Sequence, residues 1–210
     1  MSKSTTKSGD GNVRRKNKAL IFQAAKTEFV THGFKGASIK RIAERANLPR
    51  ANIHYYFKDK TDLYQQLLNQ ILESWNENFD SFGASDDAKT AISEYIRAKV
   101  MHSMTDPEGS RIFASEMIHG APHLQDYLAN EFRDWVRRKV KVIDAWIMAG
   151  KIRPVDPLHL LFLIWSSTQH YADFSVQVTA AMGKKELVER DFELVVSSLT
   201  SMILAGCEVR

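Results

Sequence analysis

The chain has 210 residues, enough for one large or two small domains, and its 26% charged and 44% hydrophobic residues are ordinary for a globular protein. The one cysteine, Cys207, excludes an intramolecular disulfide framework and is typical of a reducing compartment. No apolar run approaches the roughly 18 residues that a membrane span needs, and the polar N-terminus lacks the apolar core of a secretory signal. We therefore expect a cytoplasmic protein.

Charge is unevenly divided along the chain. The net charge is +4, yet residues 1–60 contain fourteen Lys and Arg against four acidic residues, while residues 61–210 contain fifteen against twenty-one. A head of net +10 on a body of net −6 is the pattern expected of a nucleic-acid-binding domain attached to something else.

The first 60 residues predict an arm followed by three helices. Residues 1–13, rich in Ser, Thr, Lys and Gly, are expected to form a disordered basic arm. The first helix is expected from about Arg14 to residue 32, and Gly33 ends it. Ser38 is the expected N-cap of a short second helix. Asn47, which tolerates left-handed backbone angles, makes the turn before a third helix that Pro49 opens.

From residue 60 onward the pattern predicts long helices separated by Gly and Pro. Their expected spans are 60–82, 86–104, 106–118, 123–149, 156–182 and 185–205. The prediction is an all-α fold of nine helices, with a helix-turn-helix domain over residues 14–60 and a second helical domain over residues 61–210.

The third helix carries cations, small polar groups and tyrosines where a core helix would carry aliphatic residues. A helix-turn-helix places its second helix in the major groove of DNA, while neighbouring groups contact phosphates. Arg50 suits the acceptors of guanine, Asn52 suits adenine, and His54 can also reach a base edge. A solvated basic hairpin is the alternative, but the charge excess and the aromatic run favour DNA. The expected DNA-binding residues are Ser38, Lys40, Arg50, Ala51, Asn52, His54, Tyr55, Tyr56, Lys58, Lys60 and Thr61.

This segment resembles the signature of the TetR family of transcriptional regulators. The resemblance lies in Gly33-Phe34, Ser38-Ile39, Ile42-Ala43, Tyr55-Tyr56-Phe57 and Lys60-Thr61-Asp62-Leu63. It implies a dimeric repressor that binds a pseudo-palindromic DNA operator and whose second domain binds an effector and forms the dimer. The chain departs from the family at the turn, where Asn47-Leu48-Pro49 replaces the usual Gly-Val-Ser, and at His54, where many members have Tyr.

The second domain contains a candidate effector site. Trp165, Thr168, Gln169 and Ala172 fall on one helical face, and an indole beside an amide suits a small planar ring with its own amide edge. Trp75 and Phe79, one turn apart on the fourth helix, are expected to form the opposite wall. The ordinary alternative is that these residues belong to the core, although a buried Gln left unpaired would cost about 1–3 kcal/mol.

The second domain also resembles one subgroup of the family, the regulators of pyrimidine utilisation, which sense uracil or thymine. The matching motifs are Glu94-Tyr95-Ile96-Arg97-x-Lys99, Arg111-x-Phe113-x-x-Glu116-Met117, Gly120-Ala121-Pro122, Pro157-x-His159-Leu160 and Trp165-x-Ser167-Thr168-Gln169-His170-Tyr171-Ala172-Asp173-Phe174. The resemblance implies that Trp75, Trp165 and Gln169 contact the effector. The expected ligand-binding residues are Trp75, Phe79, Phe113, Met117, Trp165, Thr168, Gln169 and Ala172.

Apolar stripes on the last two helices predict a homodimer joined by a four-helix bundle, although they suit an intramolecular core equally well. They consist of Leu160, Leu161, Ile164, Leu194, Val195, Leu199, Met202 and Ile203.

Two other functions stay open. A TetR-type regulator could sense a more lipophilic compound, or the protein could be a DNA binder without an effector. An enzyme would need a nucleophile elbow, a phosphate-binding Gly loop or paired cysteines, and the chain has none of them. Glu116, His119 and His123 have a superficial metal-ligand spacing, but Gly120 and Pro122 interrupt the helix between the two histidines. We expect no catalytic residue, cofactor or metal.

Overall fold

The computed structural model describes the backbone of residues 7–80 and 82–208, and the side chains of those residues except 7–10 and 76–79. These ranges contain ten helices and no strand, which confirms the all-α prediction. The helices are α1 (Lys7–Gly36), α2 (Ile39–Ala46), α3 (Arg50–Tyr56), α4 (Lys60–Asp80), α5 (Ala88–Thr105), α6 (Pro107–Ile118), α7 (the consecutive segments Gln125–Tyr127, Leu128–Phe132 and Arg133–Met148), α8 (Pro157–Asp173), α9 (Ser175–Met182) and α10 (Glu189–Gly206).

Contacts divide the chain into two compact units, one ending at Gln70 and one beginning at Ile71, so the division falls inside α4. The expected functional domains, 14–60 and 61–210, stay predictions. Among the described residues, none of the helices combines the length and apolar character that crossing a bilayer requires.

The first unit is a small bundle of α1, α2, α3 and the first half of α4. Its centre consists of apolar side chains that are at most 1% exposed: Ile21, Ala25, Ile42, Ile53, Phe57, Leu63, Leu67 and Leu68. Ile53 is the one buried residue of α3, so the exposed residues of that helix are available to a partner. Ile53 therefore attaches α3 to its neighbours.

The turns of the first unit follow the predicted chemistry. The Ser38 hydroxyl accepts from the backbone N–H of Arg41 at 3.2 Å and so caps α2. Asn47 adopts the left-handed angles φ 52° and ψ 43° that end α2. Gly33 breaks α1 with φ 64° and ψ 173°, and a further helical turn follows to Gly36.

The start of α1 differs from the expectation. The predicted disordered arm lies partly outside the described residues, and from Lys7 the backbone is helical. Residues 11–16 are exposed, so these turns add nothing to the core. Extending an existing helix fixes one residue per hydrogen bond, without the nucleation cost of a new one, which is why polar residues can continue α1 outward.

The second unit is built around α5, which packs chiefly against α10 and α8. Its core contains Ile92, Ile96, Ile143, Trp146 and Leu161, each at most 2% exposed. An exposed bidentate ion pair between Arg97 on α5 and Glu193 on α10, with N–O distances of 2.9 and 2.8 Å, joins the same two helices at the surface.

The predicted helix over 156–182 was wrong in one respect, because the structure has two helices there. Phe174 leaves helical angles, with φ −114° and ψ 32°, and separates α8 from α9. Asp173 and Ser175 flank the break, and β-branched Val176, Val178 and Thr179 follow. Such residues favour helices weakly, so the local sequence tolerates the change of direction.

Candidate functional site

The exposed face of α3 carries most of the predicted base-reading residues. Arg50, Ala51, His54 and Tyr55 are exposed, while Asn52 and Tyr56 are half-buried. Tyr55 is 69% exposed, and its ring lies under the guanidinium of Arg14 at 5.8 Å. Cations, amides and hydroxyls on one short helix can reach base edges and phosphates without disturbing the bundle beneath.

The ends of α2 and α4 place further cations at the surface of the first unit. Lys40 is exposed and pairs loosely with Glu44 at 3.9 Å. Lys58 and Thr61 are exposed at the start of α4. There the carboxylate of Asp59 accepts from the N–H of Asp62 at 2.9 Å, and that of Asp62 accepts from the N–H of Lys58 at 2.8 Å.

Lys60 has a different role from the expected phosphate contact. Its ammonium donates to the carbonyl oxygens of Phe34 at 2.8 Å, Lys35 at 3.3 Å and Ala37 at 3.0 Å. An ammonium has three donors, so these carbonyls use all of them. Lys60 therefore ties the start of α4 to the loop after α1 and is not available to DNA in this arrangement. The sequence pattern shows the cation but not the three carbonyls folded over it.

A buried carboxylate braces α2 against α1. Glu28 is 0% exposed, and its Oε1 accepts from Arg41 Nε at 2.6 Å and from the backbone N–H of Ser38 at 3.1 Å. Arg41 also donates to the carbonyl of Gly36 at 2.5 Å. The pair fixes the residue that caps α2 and thereby the start of the helix-turn-helix.

The second unit contains a small cavity with mostly aromatic walls. Its volume is about 60 Å³, and a single water needs roughly 10–15 Å³, so it has room for a few waters or one small ring. Five helices contribute to it: α4, α5, α6, α7 and α8. The lining residues are Leu72, Trp75, Tyr95, Lys99, Phe113, Phe132, Trp135, Trp165 and Gln169.

Contacts among the lining side chains hold the rings in place. Trp75 and Phe113 meet edge to face with centroids 5.0 Å apart. The indole N–H of Trp165 donates to the hydroxyl of Tyr95 at 2.7 Å, and burial raises the pKa of that phenol well above its usual value. The Trp165 ring packs against Phe132 at 5.7 Å and Trp135 at 6.2 Å. A flat guest would find ring faces on several sides.

Trp135 is anchored outside the cavity. Its indole N–H donates to Asp80 Oδ1 at 2.8 Å, and the same oxygen lies 3.2 Å from the ammonium of Lys139. Asp80 is the last residue of α4. The anchor therefore connects the wall of the cavity to the end of α4.

The structure brings together four of the eight predicted ligand-binding residues: Trp75, Phe113, Trp165 and Gln169 line the cavity. Thr168 and Ala172 are buried but do not line it, and the Thr168 hydroxyl instead donates to the carbonyl of Ile164 on its own helix at 2.7 Å. Met117 is half-buried and does not line it either. The side chain of Phe79 lies outside the described residues.

Five lining residues were not predicted: Leu72, Tyr95, Lys99, Phe132 and Trp135. Tyr95 and Lys99 are one turn apart on α5 and belong to the motif Glu94-Tyr95-Ile96-Arg97-x-Lys99, which resembles the subgroup. That motif was the sequence signal from which these two residues could have been predicted. Phe132 closes the π-helical segment Leu128–Phe132 and precedes Trp135 by three residues. Phe132 and Trp135 are three residues apart and share a helical face, where their rings stack with centroids 6.5 Å apart, but periodicity alone does not show that this face lines the cavity.

The superficial metal-ligand spacing does not produce a metal site in the described part of the chain. Glu116 is buried and accepts from the backbone N–H of His123 at 2.7 Å, and its oxygens lie 3.2 Å from the ring Nδ1. His119 instead contacts the carbonyl of Ser115 at 2.7 Å. No group of three potential ligands forms among the described side chains.

An apolar groove of about 480 Å³ runs between α8 and α10. Its lining includes Leu160, Leu163, Leu199, Met202 and Ile203. Leu163 is 53% exposed and Met202 63% exposed, whereas Leu161 and Ile164 belong to the core. The predicted stripes are thus divided between the interior and the surface.

A basic bundle with an exposed recognition helix, joined to a helical unit with an aromatic cavity, defines a DNA-binding regulator of the helix-turn-helix class. Residues 21–67 match the family described as bacterial regulatory proteins of the tetR family, and residues 68–210 match the family described as YcdC-like protein, C-terminal region. The chain is 39% identical over 198 residues to the HTH-type transcriptional regulator RutR of Escherichia coli, covering 94% of this chain and 93% of the relative. The chain therefore belongs to the TetR family of transcriptional regulators, is RutR-like within it, and is not an enzyme.

Solved structures share the fold at low sequence identity. A bacterial regulatory protein of the tetR family from Rhodococcus RHA1 superimposes with a TM-score of 0.73 at 16% identity, covering 93% of this chain and 98% of that chain. The putative transcriptional regulator SCO4942 from Streptomyces coelicolor gives a TM-score of 0.71 at 21% identity, covering 90% and 97%.

Proposed function

We propose that this regulator is a homodimeric repressor that leaves its operator when a small planar ligand, uracil or thymine, enters the aromatic cavity. The observation that carries the proposal is the combination of Trp75, Trp165 and Gln169 around one small cavity. Indole rings stack on a planar guest, and the amide offers one acceptor and two donors. The subgroup resemblance supports the same ligand class. A repressor that binds an operator in bacterial DNA would act in the cytoplasm.

The cavity favours a polar ring over a lipophilic effector. Its volume of about 60 Å³ is small, and pockets for drug-sized ligands have volumes of roughly 300–1,000 Å³. Among the described residues, the Gln169 amide has no hydrogen-bond partner, so a lipophilic guest would leave it unsatisfied. An effector-independent DNA binder would have no use for this half-buried, unpaired amide at the wall of a cavity.

For DNA binding, we infer that α3 enters the major groove and that Lys40, Lys58 and Thr61 contact phosphates. Two such heads in a dimer must meet successive major grooves, roughly 34–36 Å apart. The groove between α8 and α10, with Leu163 and Met202 exposed, supports a dimer formed through these helices. The effector lowers the affinity for DNA if it binds more tightly to a dimer in which the distance between the two α3 helices does not match successive major grooves.

The proposed binding of uracil or thymine is tested by calorimetric titration of wild type, Gln169→Ala and Gln177→Ala with each base. Gln177→Ala is the control, because the Gln177 side chain is exposed on α9. We expect wild type and the control to bind equally, and Gln169→Ala to bind at least about tenfold more weakly, the loss of one or two buried hydrogen bonds. Absence of heat for either base with folded wild type refutes a pyrimidine effector.

The DNA half is tested by selecting binding sites from a random duplex library and measuring affinity at several salt concentrations. Arg50→Ala should weaken the selected site by about 1–3 kcal/mol while hardly changing non-specific binding. Lys58→Ala should weaken both and reduce the salt slope by about one. Arg138→Ala, an exposed cation on α7, is the control and should change neither. Failure to select any palindromic site contradicts the dimeric operator.

A further inference from the structure

We propose that Lys99 is the residue that binds an oxygen atom of the effector, so that the cavity selects small planar rings with a carbonyl or ionised oxygen beside an N–H edge. The inference rests on the proposed effector site and adds to it a specificity-determining residue and a ligand class.

Lys99 lies on α5 and lines the cavity although it is only 5% exposed. Its ammonium lies 4.0 Å from the centre of the Trp75 ring. Tyr95, one turn earlier, lines the same cavity and is held by Trp165. The ammonium therefore belongs to the wall that a ligand stacked on Trp75 would touch.

Within the described part of the chain, the Lys99 ammonium has no ion pair and no hydrogen-bond acceptor. Asp173 on α8 attracts it electrostatically, but one oxygen of that carboxylate accepts from the Ser110 hydroxyl at 2.6 Å. A buried cation without a partner carries a large desolvation penalty, of which the Trp75 ring offsets only part. A group kept in this condition inside a cavity is typical of a binding site.

The two polar side chains of the cavity together define a guest. An ammonium can only donate, whereas the Gln169 amide both donates and accepts. A ring with one oxygen facing Lys99 and an adjacent N–H and C=O facing Gln169 would satisfy both. Cyclic imides and ureides, the class that includes uracil, have this arrangement, and hydrocarbon or lipid-like rings do not.

The charge of Lys99 provides a readout. Burial lowers its pKa to about 7, and Asp173 opposes that shift. Burial also raises the pKa of Asp173. The other titratable side chain that α5 contributes to the cavity is the neutral phenol of Tyr95. The lining residues of α4, α6 and α7 considered beside it are uncharged aromatic rings: Trp75, Phe113, Phe132 and Trp135. Asp80 and Lys139 lie behind Trp135.

A ligand oxygen at Lys99 stabilises the ammonium and raises its pKa. Affinity is then complete below the pKa of the free protein and falls as pH rises from about 7 toward the pKa of the complex. A neutral ligand that ignores Lys99 would bind with the same affinity throughout this window.

The test is calorimetric titration of wild type, Lys99→Met and Lys89→Met with uracil between about pH 6 and pH 8.5. Lys89 is an exposed lysine on the same helix and serves as the control. We expect wild type and Lys89→Met to lose at least about tenfold in affinity across the range. Lys99→Met should bind at least about tenfold more weakly at about pH 6 and show no pH dependence. Its melting temperature should equal or exceed that of wild type, because the substitution removes an unpaired buried charge. Affinity of Lys99→Met within about twofold of wild type, or a flat wild-type profile, overturns the proposal.

A second measurement separates this proposal from the pyrimidine effector. If uracil and thymine give no heat with wild type, the proposal of a pyrimidine effector is refuted. The role of Lys99 is then tested by the change in melting temperature that 2-pyridone, barbiturate and orotate cause in wild type and in Lys99→Met. Stabilisation of wild type but not of Lys99→Met by any of these supports it. Absence of stabilisation of wild type, or equal stabilisation of both proteins, overturns it.

Discussion

Replacing Arg41 with methionine should destabilise the protein more than any other change of an exposed cation on α2. The substitution removes the guanidinium that lies 2.6 Å from Glu28, a carboxylate with no exposed surface. Breaking a buried pair by removing one partner costs about 3–5 kcal/mol, because the other charge is left uncompensated. We expect the lower end, about 3 kcal/mol, because the Arg41 side chain is 45% exposed and Glu28 keeps two other neighbours. The Ser38 N–H remains 3.1 Å from one carboxylate oxygen, and the ring nitrogen Nε2 of His32 lies 3.7 Å from the other.

The measurement is urea denaturation followed by far-ultraviolet circular dichroism, with thermal unfolding in parallel. A loss of about 3 kcal/mol corresponds to a decrease in melting temperature of roughly 6–12 °C for a protein of this size. The neighbouring Lys40→Met is the matched control. Lys40 and Glu44 are 75% and 61% exposed, so losing that pair should change stability by less than about 0.5 kcal/mol.

A double variant completes the test. Glu28→Met with Arg41→Met removes the buried carboxylate as well as its partner, and replacing both members of a buried pair by apolar residues is often neutral. The double variant should therefore recover most of the stability that Arg41→Met loses. If Arg41→Met is no less stable than Lys40→Met, or the double variant is less stable than Arg41→Met, the assigned role of the pair is refuted.

Three further predictions concern other parts of the fold. Asn47→Ala should lower stability by about 1 kcal/mol in urea denaturation while Asn47→Gly should not, because φ is 52° there; equal effects would contradict this. Met202→Asp should yield monomers in analytical ultracentrifugation while the exposed Ser197→Asp on the same helix should not, and a stable Met202→Asp dimer would exclude the α8–α10 groove as the interface. Trp135→Phe removes the indole N–H that lies 2.8 Å from Asp80 and should lower the melting temperature by roughly 2–4 °C, a loss of about 1 kcal/mol; an unchanged value would show that the bond contributes nothing.

The helix-turn-helix could be predicted from sequence because its determinants are local. Ser38 caps α2 and Asn47 takes left-handed angles for reasons visible within a few residues of each. Ile53 is the one buried residue of the short helix α3, and Arg50 and His54 remain at the surface. The role of Lys60 is not local, since it depends on carbonyl oxygens more than 20 residues earlier.

The cavity was only half predictable. Trp165 and Gln169 share a face of one helix, so periodicity brings them together. The same periodicity groups them with Thr168 and Ala172, which are buried and do not line the cavity. Lys99 is a charged residue on a helix, and sequence alone places such a residue in solvent. Its burial results from packing between helices far apart in the chain, which no single segment records.

The distribution of the tryptophans gives the protein an optical reporter of its own. Three of the four, Trp75, Trp135 and Trp165, line the cavity, and the fourth, Trp146, is 0% exposed in the core. Ultraviolet emission should therefore respond to whatever fills the cavity, against a constant background from Trp146. Because the Lys99 ammonium lies over Trp75, its loss of a proton should also change the emission. Occupancy and protonation can thus be followed in unlabelled protein by fluorescence alone.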